Sequence, residues 1–192
     1  YSGTPLVNDG SFGAGAVGRI AANFVNGPRT VTNGVDLFVE YEADYADGVI
    51  TTGLEANYVA KYSVDAYSKG GVEVAAAYEC DGFFNINNPC RPIPTMKGKA
   101  FANYRTDAHN FYGAVNYISA YDDRRSSKEI TAHTTVDATY TYTWDDAFDI
   151  SLSVYNLTDE QPPFTVWEMN YDAYTHSPLG RFVKAGFTYR MQ

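Results

Sequence analysis

Cys80 and Cys90 are the two cysteines of a 192-residue chain. The stretch between them, Asp81-Gly82-Phe83-Phe84-Asn85-Ile86-Asn87-Asn88-Pro89, is made of turn formers and aromatics. That spacing suits the closure of one loop better than a metal knuckle, and no further soft ligand stands nearby, so a disulfide is expected and a structural metal is not. The alternative is two unrelated thiols; a disulfide implies an oxidising compartment such as the periplasm or the cell surface. His109, His133 and His176 are far apart in sequence. No Ser or Cys has the turn context of a nucleophile, so no catalytic constellation is expected, and the histidines read as solvated side chains. Asp122-Asp123 and Asp145-Asp146 fall in predicted connections, where turn formation explains them. Calcium at Asp122-Asp123 is the weaker alternative, because Arg124-Arg125 beside it balances the charge. Gly13-Ala14-Gly15-Ala16-Val17-Gly18 has the spelling of a dinucleotide-binding turn, but no buried strand precedes it and Pro28 would end the helix it needs. It reads as a loop, and no cofactor is expected.

Binding is the better prospect. The connection from Gln161 to Leu179 carries Phe164, Trp167, Tyr171, Tyr174 and His176 with few aliphatics. Exposed rings of this kind suit stacking on a flat ligand such as a sugar or a catecholate; the alternative is that they pack the loop on its neighbours. Trp167, Tyr171 and Tyr174 here, with Phe83 and Phe84 between the cysteines, are the candidate ligand contacts. Composition limits the partners. With 14 basic against 23 acidic side chains and a net charge of −9, the chain has no footprint for nucleic acid. With 17 Tyr, 11 Phe and 45% hydrophobic residues it is not a disordered segment.

What must position those loops is a set of strands. In Val136-Asp137-Ala138-Thr139-Tyr140-Thr141-Tyr142-Thr143-Trp144 one face is apolar and aromatic and the other is Asp and Thr. The same period of two runs through Val35, Leu37, Val39 and Tyr41, through Leu54, Ala56 and Tyr58, and through Val72, Val74, Ala76 and Tyr78. It returns in Phe148, Ile150, Leu152 and Val154, and in Val183, Ala185, Phe187 and Tyr189. Turns placed at the Gly, Pro, Asn and Asp clusters give about nine strands, near 16–26, 30–45, 49–63, 71–79, 97–106, 110–121, 129–144, 148–157 and 180–191. Several are about twice the usual soluble strand. Their apolar faces lean on Ala, Val and Tyr, which favours a transmembrane β-barrel over a water-soluble sandwich. Long and short connections would alternate along it, with the short Asp47-Gly48 connection as the exception. Tyr41, Tyr45, Tyr62, Tyr121, Tyr142 and Trp144 near strand ends would form interfacial girdles.

The C-terminal third resembles a known family. The Val136-Asp137-Ala138-Thr139-Tyr140 strand, the strand exit Tyr155-Asn156-Leu157-Thr158-Asp159-Glu160-Gln161-Pro162-Pro163-Phe164, and Ser177-Pro178-Leu179-Gly180-Arg181-Phe182 before a last alternating strand occur in this order. Together they resemble the end of a TonB-dependent outer-membrane receptor, and residues 24–44 resemble an internal turn and strand of such receptors. Elementary roles fit the same residues: Asn156 can bond local backbone where the strand leaves the sheet, and Gly180 allows a close approach.

The resemblance implies an all-β fold, the C-terminal portion of an antiparallel barrel of about 22 strands, which needs well over twice this chain. The plug domain and the earlier strands are then expected outside residues 1–192. It implies no enzyme but a receptor in the outer membrane of a Gram-negative bacterium, in contact with lipid. Such receptors take up a scarce small nutrient, an iron-siderophore or similar chelate or an oligosaccharide, with energy from the TonB complex acting on the plug. The rival readings are a complete small barrel with a structural or adhesion role and a secreted carbohydrate-binding sandwich.

Overall fold

The computed structural model describes residues 26–84, 91–145 and 147–190. The strand expected near 16–26, the glycine run from Gly13 to Gly18 and Cys90 lie outside the described residues. The strands, in chain order, are β1 (Thr30–Tyr45), β2 (Gly48–Val64), β3 (Tyr67–Lys69), β4 (Val72–Ala75), β5 (Tyr78–Glu79), β6 (Phe83–Phe84) and β7 (Met96–Arg105). They continue with β8 (His109–Ile118), β9 (Tyr121–Asp123), β10 (Lys128–Ile130), β11 (His133–Asp145), β12 (Phe148–Tyr155) and β13 (Phe182–Tyr189), and no helix occurs among the described residues. The long ones, β1, β2, β7, β8, β11, β12 and β13, lie side by side in that order as one antiparallel sheet, the wall.

Register follows from the alternation. One row across the wall reads Val39, Leu54, Ala100, Val115 and Val136, and the adjacent row reads Phe38, Glu55, Lys99, Asn116 and Thr135. A slip of one residue would carry ionised groups to the apolar face, so the pattern itself fixes the pairing. On the polar face the amide of Asn116 donates to Asp137 Oδ2 at 2.9 Å, and Asn57 donates to Asp36 at 2.6 Å. Phe101 lies over Gly53 in the facing strand, where a Cβ would collide with the ring, so the glycine makes room for the aromatic. The apolar face stays uncovered: Val35, Val39, Tyr41, Val115, Leu152 and Val183 are all exposed. No second sheet packs on it among the described residues, as a sandwich would require, and no pairing joins β1 to β13 there.

The connections that follow β1, β7 and β11 stand at one end of the wall, and those that follow β2, β8 and β12 at the other. Long and short therefore alternate throughout the wall, and Asp47-Gly48 is no exception. The strand expected over 71–79 is the reason. Its residues form β4, which pairs with β3 around Gly70 and Gly71, both at positive φ, and β5, which extends the end of β2 at Ser63 and Val64. Alternation alone does not separate a short hairpin within a long connection from a wall strand. At the turn end aromatic side chains gather: Tyr45 meets Tyr104 edge-on, Phe111 meets Tyr140 and Phe148 meets Tyr189. Trp144 is 71% exposed there. Tyr121 does not belong to such a girdle; it is buried at the opposite end, within the loops.

Candidate functional site

The three long connections interlock into a crown above the wall. Phe83 and Phe84 of β6 pair in parallel with Asp122 and Asp123 of β9, and β9 turns back into β10. Asp123 makes that turn: one carboxylate oxygen accepts the Arg125 N–H at 2.9 Å and the other the Ser126 hydroxyl at 2.8 Å. The second oxygen also accepts the Val166 N–H at 3.4 Å, which ties the third connection to the second. Asn156 closes the base of the third connection by donating to the Glu160 carbonyl and accepting the Glu160 N–H, at 2.9 and 3.0 Å. Its positive φ marks the point where the chain leaves β12. Gly180 packs against Asp159, where a Cβ would collide with the carboxylate, and Asp159 accepts the Arg181 N–H at 2.7 Å. Both the exit at Asn156 and the re-entry at Gly180 take the roles their residue types imply.

The apolar centre of the crown is Phe84, Tyr121 and Ile130, with Ile118 and Trp167 packed against it. Phe84 has no exposed surface. It is therefore removed from the ligand-contact set: its ring stands edge-on to Trp167 at 5.4 Å and supports it from below. Trp167 in turn stacks on Tyr174, with centroids 5.6 Å apart and planes 17° from parallel. Tyr174 is 56% exposed and carries the Arg91 guanidinium 5.2 Å from its ring centre. The Phe83 ring has the Arg124 guanidinium 3.6 Å from its centre. Tyr171 forms a backbone bridge with Phe164 on another part of the same connection. The sequence-predicted contacts thus split: Trp167 and Tyr174 stack on each other, Phe84 is buried against Trp167, and Tyr171 is half-buried and bridged through its backbone to Phe164. A cavity of about 310 Å³ opens between the second and third connections, lined by Asp123, Lys128, Ile130, Phe164, Thr165 and Val166 and by none of the predicted contacts.

A buried polar chain holds the stacked pair. The Tyr121 hydroxyl donates to Asp172 Oδ2 at 2.7 Å and lies 3.0 Å from His176 Nε2; His176 Nδ1 lies 2.9 Å from His133 Nδ1. All four residues are buried. Asp172 also accepts the Tyr174 backbone N–H at 2.9 Å through its other oxygen, which fixes the backbone at Tyr174. Burial, and then the bond to Asp172, push the Tyr121 hydroxyl pKa upward. Burial pushes His176 down to about 4, and the His133 ring adds to the shift. His133 and His176 are therefore not solvated side chains. These four residues do not stand out in the sequence as a unit, because their partners lie 43 to 55 residues apart and are brought together by packing of separate connections.

The arrangement stacks, pairs and orients. It holds no nucleophile with its base, and no cluster of three metal-ligating side chains occurs among the described residues. Cys80 is buried at 2% exposure, and no free cysteine occurs among the described residues. The family described as TonB dependent receptor-like, beta-barrel matches residues 3–157. No curated protein and no solved structure matches. That family is one of outer-membrane transporters rather than enzymes. With an alternating antiparallel wall, loops at one end and turns at the other, and a match over most of its length, the chain belongs to the TonB-dependent receptor family, as part of its β-barrel.

Proposed function

We propose that residues 1–192 form the C-terminal segment of the barrel of an outer-membrane receptor that captures a scarce nutrient at its loop end. Import is driven by the TonB complex through a plug domain that, with the earlier strands, lies outside this chain. The apolar face of the wall lies in lipid. Its exposed apolar side chains run across the whole sheet, from Val35 and Val39 through Val115 to Leu152 and Val183, where a soluble protein keeps such patches small, and its turn-end aromatics match an interfacial girdle. Ligand contact falls to Tyr174 and Trp167, with Tyr171 and Phe83 at the margins. The observation that carries this is the exposed Tyr174 ring, stacked on Trp167 and flanked by Arg91. An aromatic plane beside a guanidinium recognises a flat, anionic ligand, so an iron chelate such as a ferric catecholate fits better than a neutral oligosaccharide. Cys80 and Cys90 are joined in this reading and hold the loop that carries Phe83; labelling of free thiols at both positions in the unreduced protein would count against it.

The test is direct binding and uptake by the full-length receptor. Truncating both Trp167 and Tyr174 to Ala removes two stacking contacts of about 0.5–1.5 kcal/mol each. Affinity for a ferric catecholate should then fall about tenfold or more, with an unchanged heat-modifiable gel shift of the barrel. Equal affinity in the double variant, or uptake that continues without a working TonB complex, would overturn the reading.

A further inference from the structure

The four buried groups linking the wall to the third connection have a fixed supply of protons. Tyr121 has one hydroxyl proton and gives it to the Asp172 carboxylate, which as an anion only accepts. The short contact from the hydroxyl to His176 Nε2 must then be an N–H donated by the imidazole. A neutral imidazole with its proton on Nε2 has a bare lone pair on Nδ1, so the His133 Nδ1 at 2.9 Å is the donor of the next link. His133 Nε2 is left as the unprotonated end of the chain; it is buried and has no hydrogen-bond partner among the described residues. Every link is satisfied in one direction, with both histidines neutral.

An added proton has no acceptable place in this arrangement. On His176 Nδ1 it would set two N–H groups against each other across 2.9 Å. On His133 Nε2 it would create a buried imidazolium whose new donor meets no acceptor among the described residues. We propose that His133, at the loop end of β11, and His176, in the connection that carries Trp167 and Tyr174, form a pH-operated latch. The latch binds that connection to the wall while both rings are neutral and releases it when the pair takes up a proton. Asp172 is the pivot, because it accepts from Tyr121 with one oxygen and holds the Tyr174 N–H with the other, so release disorders the stacked pair.

Three further charges act on the pair. Asp172 favours a proton on His176, Lys97 from β7 opposes it, and Glu160 is the acidic group that acts on His133. Burial outweighs the favourable charge, so His176 in the closed latch sits near 4, below its ordinary value. The sign follows. A depressed histidine pKa contributes closure that is complete above about pH 6.5 and is lost as pH falls toward the folded value. The ratio of latched to released loop should fall by on the order of tenfold between pH 7.5 and pH 5. The latch does not depend on what the loop binds.

Hydrogen exchange of the full-length receptor, with no ligand present and rates corrected for intrinsic exchange at each pH, reads it without reference to uptake. Protection of residues 162–179 should fall about tenfold from pH 7.5 to pH 5, while the wall strands β8 and β11 hold theirs. Replacing His176→Gln keeps a side-chain N–H for the Tyr121 hydroxyl but removes the titration. Paired with His133→Gln it should leave protection of 162–179 independent of pH. Equal protection of the native loop at both pH values, or a pH dependence that survives in the double variant, overturns the latch. Should the double variant not assemble, the native pH series alone decides between these outcomes.

Discussion

The wall and the crown of this chain use the same residue types in opposite ways. In the wall, Val39, Val115 and Leu152 point outward and stay exposed, while Asp137, Asn116 and Lys99 share the inner face. In the crown, Phe84, Tyr121 and Ile130 are shut away from solvent, and the stacked Tyr174 is on the outside. The wall is ordered by backbone ladders along strands of eight to seventeen residues. The crown is ordered by side chains, because its strands β6, β9 and β10 are two or three residues long and contribute little ladder of their own. A sheet in lipid gains nothing from an internal apolar core on its outer side, whereas a loop assembly in water stands only if it builds one.

The largest effect should come from emptying that core. Phe84→Ala removes a fully buried ring, and buried Phe-to-Ala changes cost about 3–5 kcal/mol. Because the loss is confined to the crown, limited proteolysis should cut within 80–96 or 158–179 while the barrel keeps its heat-modifiable shift in detergent. Loss of both together would mean that wall and crown fold as one unit. Next comes an inversion of the wall. Val115→Arg sets a charge in the middle of the apolar face, at about 2–4 kcal/mol, and should lower the yield of assembled receptor in the outer membrane. Thr139→Arg, on the polar face, should assemble nearly as well as the parent protein. Equal impairment would mean that the apolar face does not meet lipid.

The same division explains how far the sequence could be followed. Period-two alternation locates β1, β2, β7, β12 and β13 to within a few residues, because a wall with one face in lipid has no other way to arrange its side chains. It overreaches at 71–79, where Val72 and Val74 alternate on a hairpin outside the wall, and at 129–144, where Ile130 turns inward with β10 before β11 begins at His133. The aromatic content of the long connections pointed to Trp167 and Tyr174, yet could not tell an exposed ring from a supporting one, and Phe84 is the supporting one. The Tyr121–Asp172–His176–His133 chain was illegible because its members are brought together by tertiary packing of connections 43 to 55 residues apart in sequence. No local periodicity carries that information.

The smallest effect tests the polar face of the wall. Glu55 and Lys99 face each other across β2 and β7 with an N···O separation of 3.9 Å, and both side chains are exposed. Exposed pairs of this kind contribute about 0–1 kcal/mol, since water and salt screen them and both long side chains lose freedom in meeting. Lys99 also has other partners: its ammonium lies 5.4 Å from the centre of Phe101 and 6.0 Å from that of Tyr112. Glu55→Gln should therefore shift the thermal midpoint of the detergent-solubilised receptor by little more than the error of measurement, and added salt should erase what shift there is. The crown responds differently, because Asp123 and Asp172 are buried acceptors whose donors would be stranded without them. Asp172→Ala should loosen 162–179 far more than Glu55→Gln disturbs the wall, though each substitution removes one carboxylate. Comparable losses from the two would show that the inner face of the wall is itself a packed, water-excluding surface.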